Sequence, residues 1–124
     1  MELPTSVSGA TAVEVAQHCA ESASAIIRAA YGRAALAGVK GRGNVVTETD
    51  LAAERAVLSI LGEAFPAHAI LSEETASATR SEGWMWVVDP LDGTKNFSRA
   101  IPHFGFNLAL CFQREPVLGI TTHP

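Results

Sequence analysis

Trp86-Val87-Val88-Asp89-Pro90-Leu91-Asp92-Gly93-Thr94-Lys95-Asn96-Phe97 is the stretch on which the reading of this 124-residue chain turns. With Trp84 and Met85 before it, its first half is aromatic and β-branched, which predicts a strand. The apolar run stops at Asp89, and the next residues are turn formers: Asp-Pro and Asp-Gly are first of all turn signals. The same residues can also carry chemistry. Asp89 and Asp92 are close enough in sequence to hold two metal ions about 3.5–4 Å apart, the arrangement of phosphoryl chemistry. Gly93 permits close backbone approach, and Gly93 and Thr94 could open a helical turn whose N–H groups receive phosphate. The Thr94 hydroxyl could bind a metal or hold a water.

Just upstream, Ala69-Ile70-Leu71 reads as a short buried strand, followed by Ser72, Glu73 and Glu74. If the two strands are neighbours, Glu73, Glu74, Asp89 and Asp92 converge at one sheet edge. Like charges packed together raise each other's pKa values, and a divalent cation resolves the conflict. Hard carboxylate oxygens suit Mg2+. No His or Cys lies within the cluster, which argues against zinc.

Further out, the apolar spacing of Val13, Ala16, Ala20, Ala23, Ile27, Ala30 and Ala34 predicts a packing helix, with Thr11 and Glu14 at capping-box spacing. A second helix is expected over 47–65, with Leu51, Leu58, Leu61 and Phe65 on one face and Pro66 as its stop. Between them, three glycines with Lys40 and Arg42 match neither a P-loop nor a dinucleotide fingerprint, so 38–44 reads as a flexible helix–helix connection. Residues 75–83 read as a loop, and 104–112 with 116–120 as a hairpin turning at Arg114-Glu115. Residues 1–10 read as a flexible leader.

Composition narrows the function classes. An apolar fraction of 48% with 18% charged residues excludes a disordered tail. A formal charge of −4 argues against nucleic-acid binding, which asks for a concentrated basic face. No apolar run approaches the roughly 18–20 residues of a membrane span. Cys19 and Cys111 make neither a disulfide framework nor a zinc site. With no signal-peptide pattern, a soluble cytoplasmic protein is expected.

The segment 86–97 resembles the signature of the inositol monophosphatase family, in the lithium-sensitive, Mg2+-dependent phosphatase superfamily. Val46-Thr47-Glu48-Thr49-Asp50 and Leu71-Ser72-Glu73-Glu74 resemble that family's other two N-terminal motifs, in order and at the expected spacing. The resemblance implies an α+β fold, two long helices packed on a mainly antiparallel sheet, with 11–124 as the N-terminal part of the domain and its C-terminal half absent. It implies two to three Mg2+ ions. By similarity, Glu73, Asp89, the Leu91 carbonyl and Thr94 would hold the first, Asp89 and Asp92 the second, and Glu73 would reach a third through water. Glu73 and Thr94 would orient the water that attacks phosphorus, with Asp50 hydrogen-bonded to Thr94. Gly93 and Thr94 N–H groups would bind phosphate, and Asp92 would face a substrate hydroxyl.

Plainer readings stand beside these. Asp50, three residues after Thr47, could complete a capping box. Glu74 reads as a solvated neighbour, Lys95 and Arg99 as solvent-facing charges, and His103 as packed. Lys40 lies about one position from the family's loop lysine. Ser72 stands where the family usually has glycine, a variant also found, with Lys95, in the nucleotide-bisphosphatase branch. The implied activity is hydrolysis of inositol monophosphate or a related sugar phosphate by metal-activated water. Two alternatives are a phosphatase for 3′-phosphoadenosine 5′-phosphate or fructose 1,6-bisphosphate, and an inactive truncated fragment or non-catalytic metal-binding protein. The implied partners are a small phosphorylated substrate and, for a full-length protein, a second copy in a homodimer.

Overall fold

The computed structural model describes residues 2–31, 36–39, 45–72, 83–94 and 104–123, with 36–39 and 45–47 as backbone alone. The order of elements is α1 (Ala12–Ala30), β1 (Leu36–Val39), β2 (Val45–Thr47), α2 (Glu48–Ala64), β3 (Ala69–Ser72), β4 (Trp84–Asp92), β5 (Gly105–Phe112) and β6 (Glu115–Thr122). The α+β class holds: two long helices lie together on a four-stranded sheet in the order β3-β4-β5-β6. The sheet is mainly antiparallel, with one parallel pair between β3 and β4.

Helix α1 begins at the capping box its sequence announces. Thr11 Oγ1 accepts the Glu14 N–H at 3.0 Å, and Glu14 Oε1 accepts the Thr11 N–H at 2.9 Å, so two orphan donors of the first turn are satisfied reciprocally. The buried stripe runs through Ala12, Val15, Ala16, Cys19, Ala20, Ala23 and Ile27, whereas Val13 is 40% exposed. The expected stripe is therefore turned slightly at its start, and the helix stops at Ala30. The small side chains let α1 approach α2 and the strands closely.

Residues 36–39 and 45–47 correct the expected plain connection between helices; 40–44 lie outside the described residues. β1 and β2 form an antiparallel ladder, pairing Gly38 with Val46 and Val39 with Val45. Val45, Val46 and Thr47 are β-branched, and that preference outweighs the glycine content.

Helix α2 also turns a different face inward. Leu51 and Leu58 are half-buried, while Asp50, Ala53, Glu54, Val57 and Leu61 are fully sequestered. Two acids thus occupy the N-terminal part of a core-facing stripe. Phe65 follows the helix and caps the core below it.

Strand β3 is less buried than its apolar run suggests, because it is an outer strand of the sheet; Leu71 is 40% exposed. β4 alternates as a strand with one face on the helices should. Trp86 and Val88 are buried, Met85 and Val87 half-buried. The β5–β6 hairpin turns at Gln113 and Arg114, with φ of 50° and 72°, one residue earlier than expected. A two-residue turn with both φ positive matches the twist of its strands.

Residues 5–10, read from sequence as part of a loose leader, make a turn against α2. Thr5 bridges Thr11, Ser6 Oγ accepts the Ala10 N–H at 3.0 Å, and the Val7 N–H donates to the Ala64 carbonyl at 3.0 Å. That last bond satisfies one of the carbonyls left open where α2 ends. At the same end, Trp86 Nε1 donates to His68 Nδ1 at 3.1 Å, and His68 stacks on Phe65 with centroids 4.6 Å apart. No described helix is long and apolar enough to cross a membrane.

Candidate functional site

The parallel pairing of β3 and β4 fixes where polar residues gather. Their register sets Ser72, the end of β3, beside Val88, and β4 runs on past it to Asp92. The N-terminal turn of α2 meets these strand ends, and α2 packs on β4.

β4 continues as a strand through Asp89 and Pro90 to Asp92, so the expected Asp-Pro turn is absent. The register against β5 slips between Asp89, opposite Asn107, and Asp92, opposite Gly105. Inside that slip Pro90 and Leu91 are both buried, which breaks the strict alternation. Pro90 has no N–H to donate, and a bulge is where a strand tolerates it. Gly93 then takes φ of 85°, a left-handed conformation that favours glycine. The reversal returns Thr94 over Leu91, with Thr94 Oγ1 3.0 Å from the Leu91 carbonyl.

The second acceptor for the Thr94 hydroxyl comes from α2. Asp50 Oδ2 lies 2.7 Å from Thr94 Oγ1. A hydroxyl has one proton, and the shorter, charge-assisted contact is the stronger claim on it. Asp50 is 0% exposed, and a buried carboxylate needs such a partner. The plain capping reading of Asp50 is therefore insufficient, since its side chain bonds 44 residues away. Asp89 keeps its Oδ1 out of solvent, while Asp92 is exposed at the strand's end.

Of the residues singled out from the sequence, the structure brings Asp50, Leu91 and Thr94 into direct contact. Asp89, Asp92 and Gly93 stand on the same strand end. Glu73, Glu74, Lys40, Lys95, Arg99 and His103 lie outside the described residues. Among the described residues, no three His, Cys, Asp or Glu side chains form a cluster that could hold a metal ion.

The sequence reading passed over Glu54. It is 3% exposed, and its Oε2 accepts the hydroxyl of the equally buried Ser72 at 2.5 Å. The signal was present: Glu54 follows Asp50 by four residues, so both belong to one helix face.

The donor set at this edge is chemically uniform. Carboxylates, a main-chain carbonyl and a hydroxyl offer oxygen alone, a set suited to a hard divalent cation such as Mg2+. Known proteins resemble the chain in sequence and fold. The model of the inositol monophosphatase family matches residues 10–124. Inositol monophosphatase 2 of Solanum lycopersicum is 35% identical over 117 residues, covering 90% of this chain and 44% of that protein. Extragenic suppressor protein suhB from Bartonella henselae superposes with a TM-score of 0.84 at 30% identity, over 90% of this chain and 45% of that one. A solved inositol monophosphatase–fructose 1,6-bisphosphatase gives a TM-score of 0.78 at 27% identity, with 91% of this chain and 45% of that one covered. The chain thus spans less than half the length of these relatives. Since the family match runs through both helices and all six strands, the chain belongs to the inositol monophosphatase family.

Proposed function

We propose that the protein is a Mg2+-dependent phosphomonoesterase acting on inositol monophosphate or a related sugar phosphate, and that this chain carries its metal- and phosphate-binding edge. The observation that carries the reading is the Thr94–Asp50 hydrogen bond at the end of β4. Such a bond leaves the lone pairs of a half-buried threonine oxygen free to orient a second group.

Asp89, the Leu91 carbonyl, Asp92 and Thr94 would hold Mg2+, together with Glu73. When bound, Mg2+ lowers the pKa of water and offsets the charge of a transferring phosphoryl group. The protein's own residues do the rest. Asp50 accepts the hydrogen bond of the Thr94 hydroxyl, so the Thr94 oxygen would accept one in turn from the attacking water and aim it. Glu73 would share that task. Gly93 and Thr94 would offer N–H groups to phosphate, which a left-handed glycine lets approach the main chain closely. Asp92, exposed at the strand end, would accept from a hydroxyl of the substrate.

A second substrate reading has one specific support: the relative that is both an inositol monophosphatase and a fructose 1,6-bisphosphatase. Phosphate release by the native gene product from inositol 1-phosphate and from fructose 1,6-bisphosphate, with and without Mg2+ and Li+, separates the two. Mg2+-dependent turnover that Li+ inhibits and that Asp89→Asn abolishes is the expected result. Absence of Mg2+-dependent turnover, or an Asp89→Asn variant as active as the parent, overturns the proposal. Sedimentation of the same product tests the homodimer that the resemblance implies.

A further inference from the structure

One turn of α2 reaches two strand ends. Asp50 accepts from Thr94, just beyond β4, and Glu54 accepts from Ser72, the last residue of β3. The two strands are adjacent and parallel, with Ser72 opposite Val88. Asp50 and Glu54 are four residues apart, separated by about 40° around the helix axis. Both are almost completely buried, as is Ser72.

Apolar packing of a helix on a sheet is non-directional and tolerates small rotations and slides. Within and below this turn, α2 is held by such packing through Ala53, Val57 and Leu61. The two hydrogen bonds are directional, and they share one rigid helical turn. A rotation that lengthens one must move the other acceptor too.

We propose that Glu54 is a positioning residue. By accepting the Ser72 hydroxyl it sets the rotation of α2 on the sheet, and so holds Asp50 at hydrogen-bonding distance from Thr94. Its consequence for Mg2+ rests on the reading of Thr94 and Asp50 given above; the mechanical coupling does not.

The test uses the isotopically labelled 124-residue chain and its Ser72→Ala and Glu54→Gln variants. Amide hydrogen exchange is read at Gly93, Thr94 and the first turn of α2, with the α1 amides from Cys19 to Ile27 as reference. Ser72→Ala removes the donor and should raise exchange at Thr94 about tenfold while the α1 amides hold. Glu54→Gln keeps an acceptor of the same length and should stay close to the parent. Calorimetric titration should show Mg2+ affinity about tenfold weaker in Ser72→Ala, the scale for losing a residue that orients a ligand. Unchanged Thr94 exchange in Ser72→Ala overturns the proposal. So does an equal rise at Thr94 and in α1, which reports general destabilisation. If the parent chain takes up no Mg2+, the functional reading falls, and the exchange data alone decide the coupling.

Discussion

Thr94 Oγ1 and Asp50 Oδ2 lie 2.7 Å apart, joining the residue after a strand's glycine turn to the first turn of a helix 44 positions earlier. The contact predicts a distinct kinetic signature in the native gene product. Thr94→Ala removes the hydroxyl and should lower kcat about 100-fold or more with little change in KM. Thr94→Ser keeps the oxygen and should retain most of the rate. Steady-state phosphate release checks both; an alanine variant with the parent's kcat contradicts the role given to Thr94.

His68 should make stability depend on pH. Burial lowers its pKa from the ordinary histidine value of 6.5. Indole N–H only donates, so Nδ1 of His68 must accept from Trp86, which requires the neutral ring with its proton on Nε2. The unfolded chain then binds more protons than the native one as pH falls below about 6.5. The stabilising contribution is therefore complete above that pH and is lost as pH drops toward the lower, native value. Urea midpoints between pH 7.5 and 5 should fall for the parent and fall less for His68→Gln. Equal slopes would exclude His68 as the source.

The two thiols should react at different stages. Burial pushes the Cys19 pKa up to about 12, and Cys19 is 0% exposed in the core. Cys111 is half-buried, and its pKa is raised by burial and then by the negative charge of Glu115. The reactive form of cysteine is the thiolate. Iodoacetamide at pH 7.5 should label Cys111 slowly in the native chain and Cys19 only after denaturant is added, as peptide mass mapping would show. Native labelling of Cys19 at the Cys111 rate would contradict this packing.

Gly105 is a position where absence of a side chain is required. A Cβ there would sit 2.9 Å from the Thr122 carbonyl oxygen and 3.2 Å from His123 Nδ1. Main chain cannot move aside cheaply, so Gly105→Ala should cost about 1–3 kcal/mol. At Gly119 a Cβ meets nothing within 4 Å, so Gly119→Ala serves as the control and should change stability by about 0.5 kcal/mol or less. Denaturant titration of the two variants checks the difference.

These contacts also show what a sequence can disclose. The α1 capping box, the extent of α2 and the strand at Trp84–Val88 rest on short-range rules, and each is found. Apolar periodicity locates a helix better than it locates the buried face. On α2 the leucine pattern points through Leu51 and Leu58, yet Asp50 and Glu54 lie inward, because hydrogen bonds across the fold override hydropathy. β1 and β2 escaped because glycine-rich sequence reads as loop while antiparallel pairing depends on the partner strand. The contact of Thr94 with Asp50 was legible only through the resemblance of three motifs. Ser72 and Glu54 meet only once the chain is folded.

Helix α2 carries its acids where a stability-seeking sequence would place leucine. Buried polar groups exchanged for well-packed apolar ones of similar volume often leave a fold equally or more stable. A library of this chain sorted for heat resistance alone should therefore drift apolar at Asp50 and Glu54 early, while Val57 and Leu61 stay apolar. The survivors would be sturdier proteins with nothing left to hold Thr94 or Ser72. On this helix, thermal selection and the proposed phosphatase pull the one turn from Asp50 to Glu54 in opposite directions.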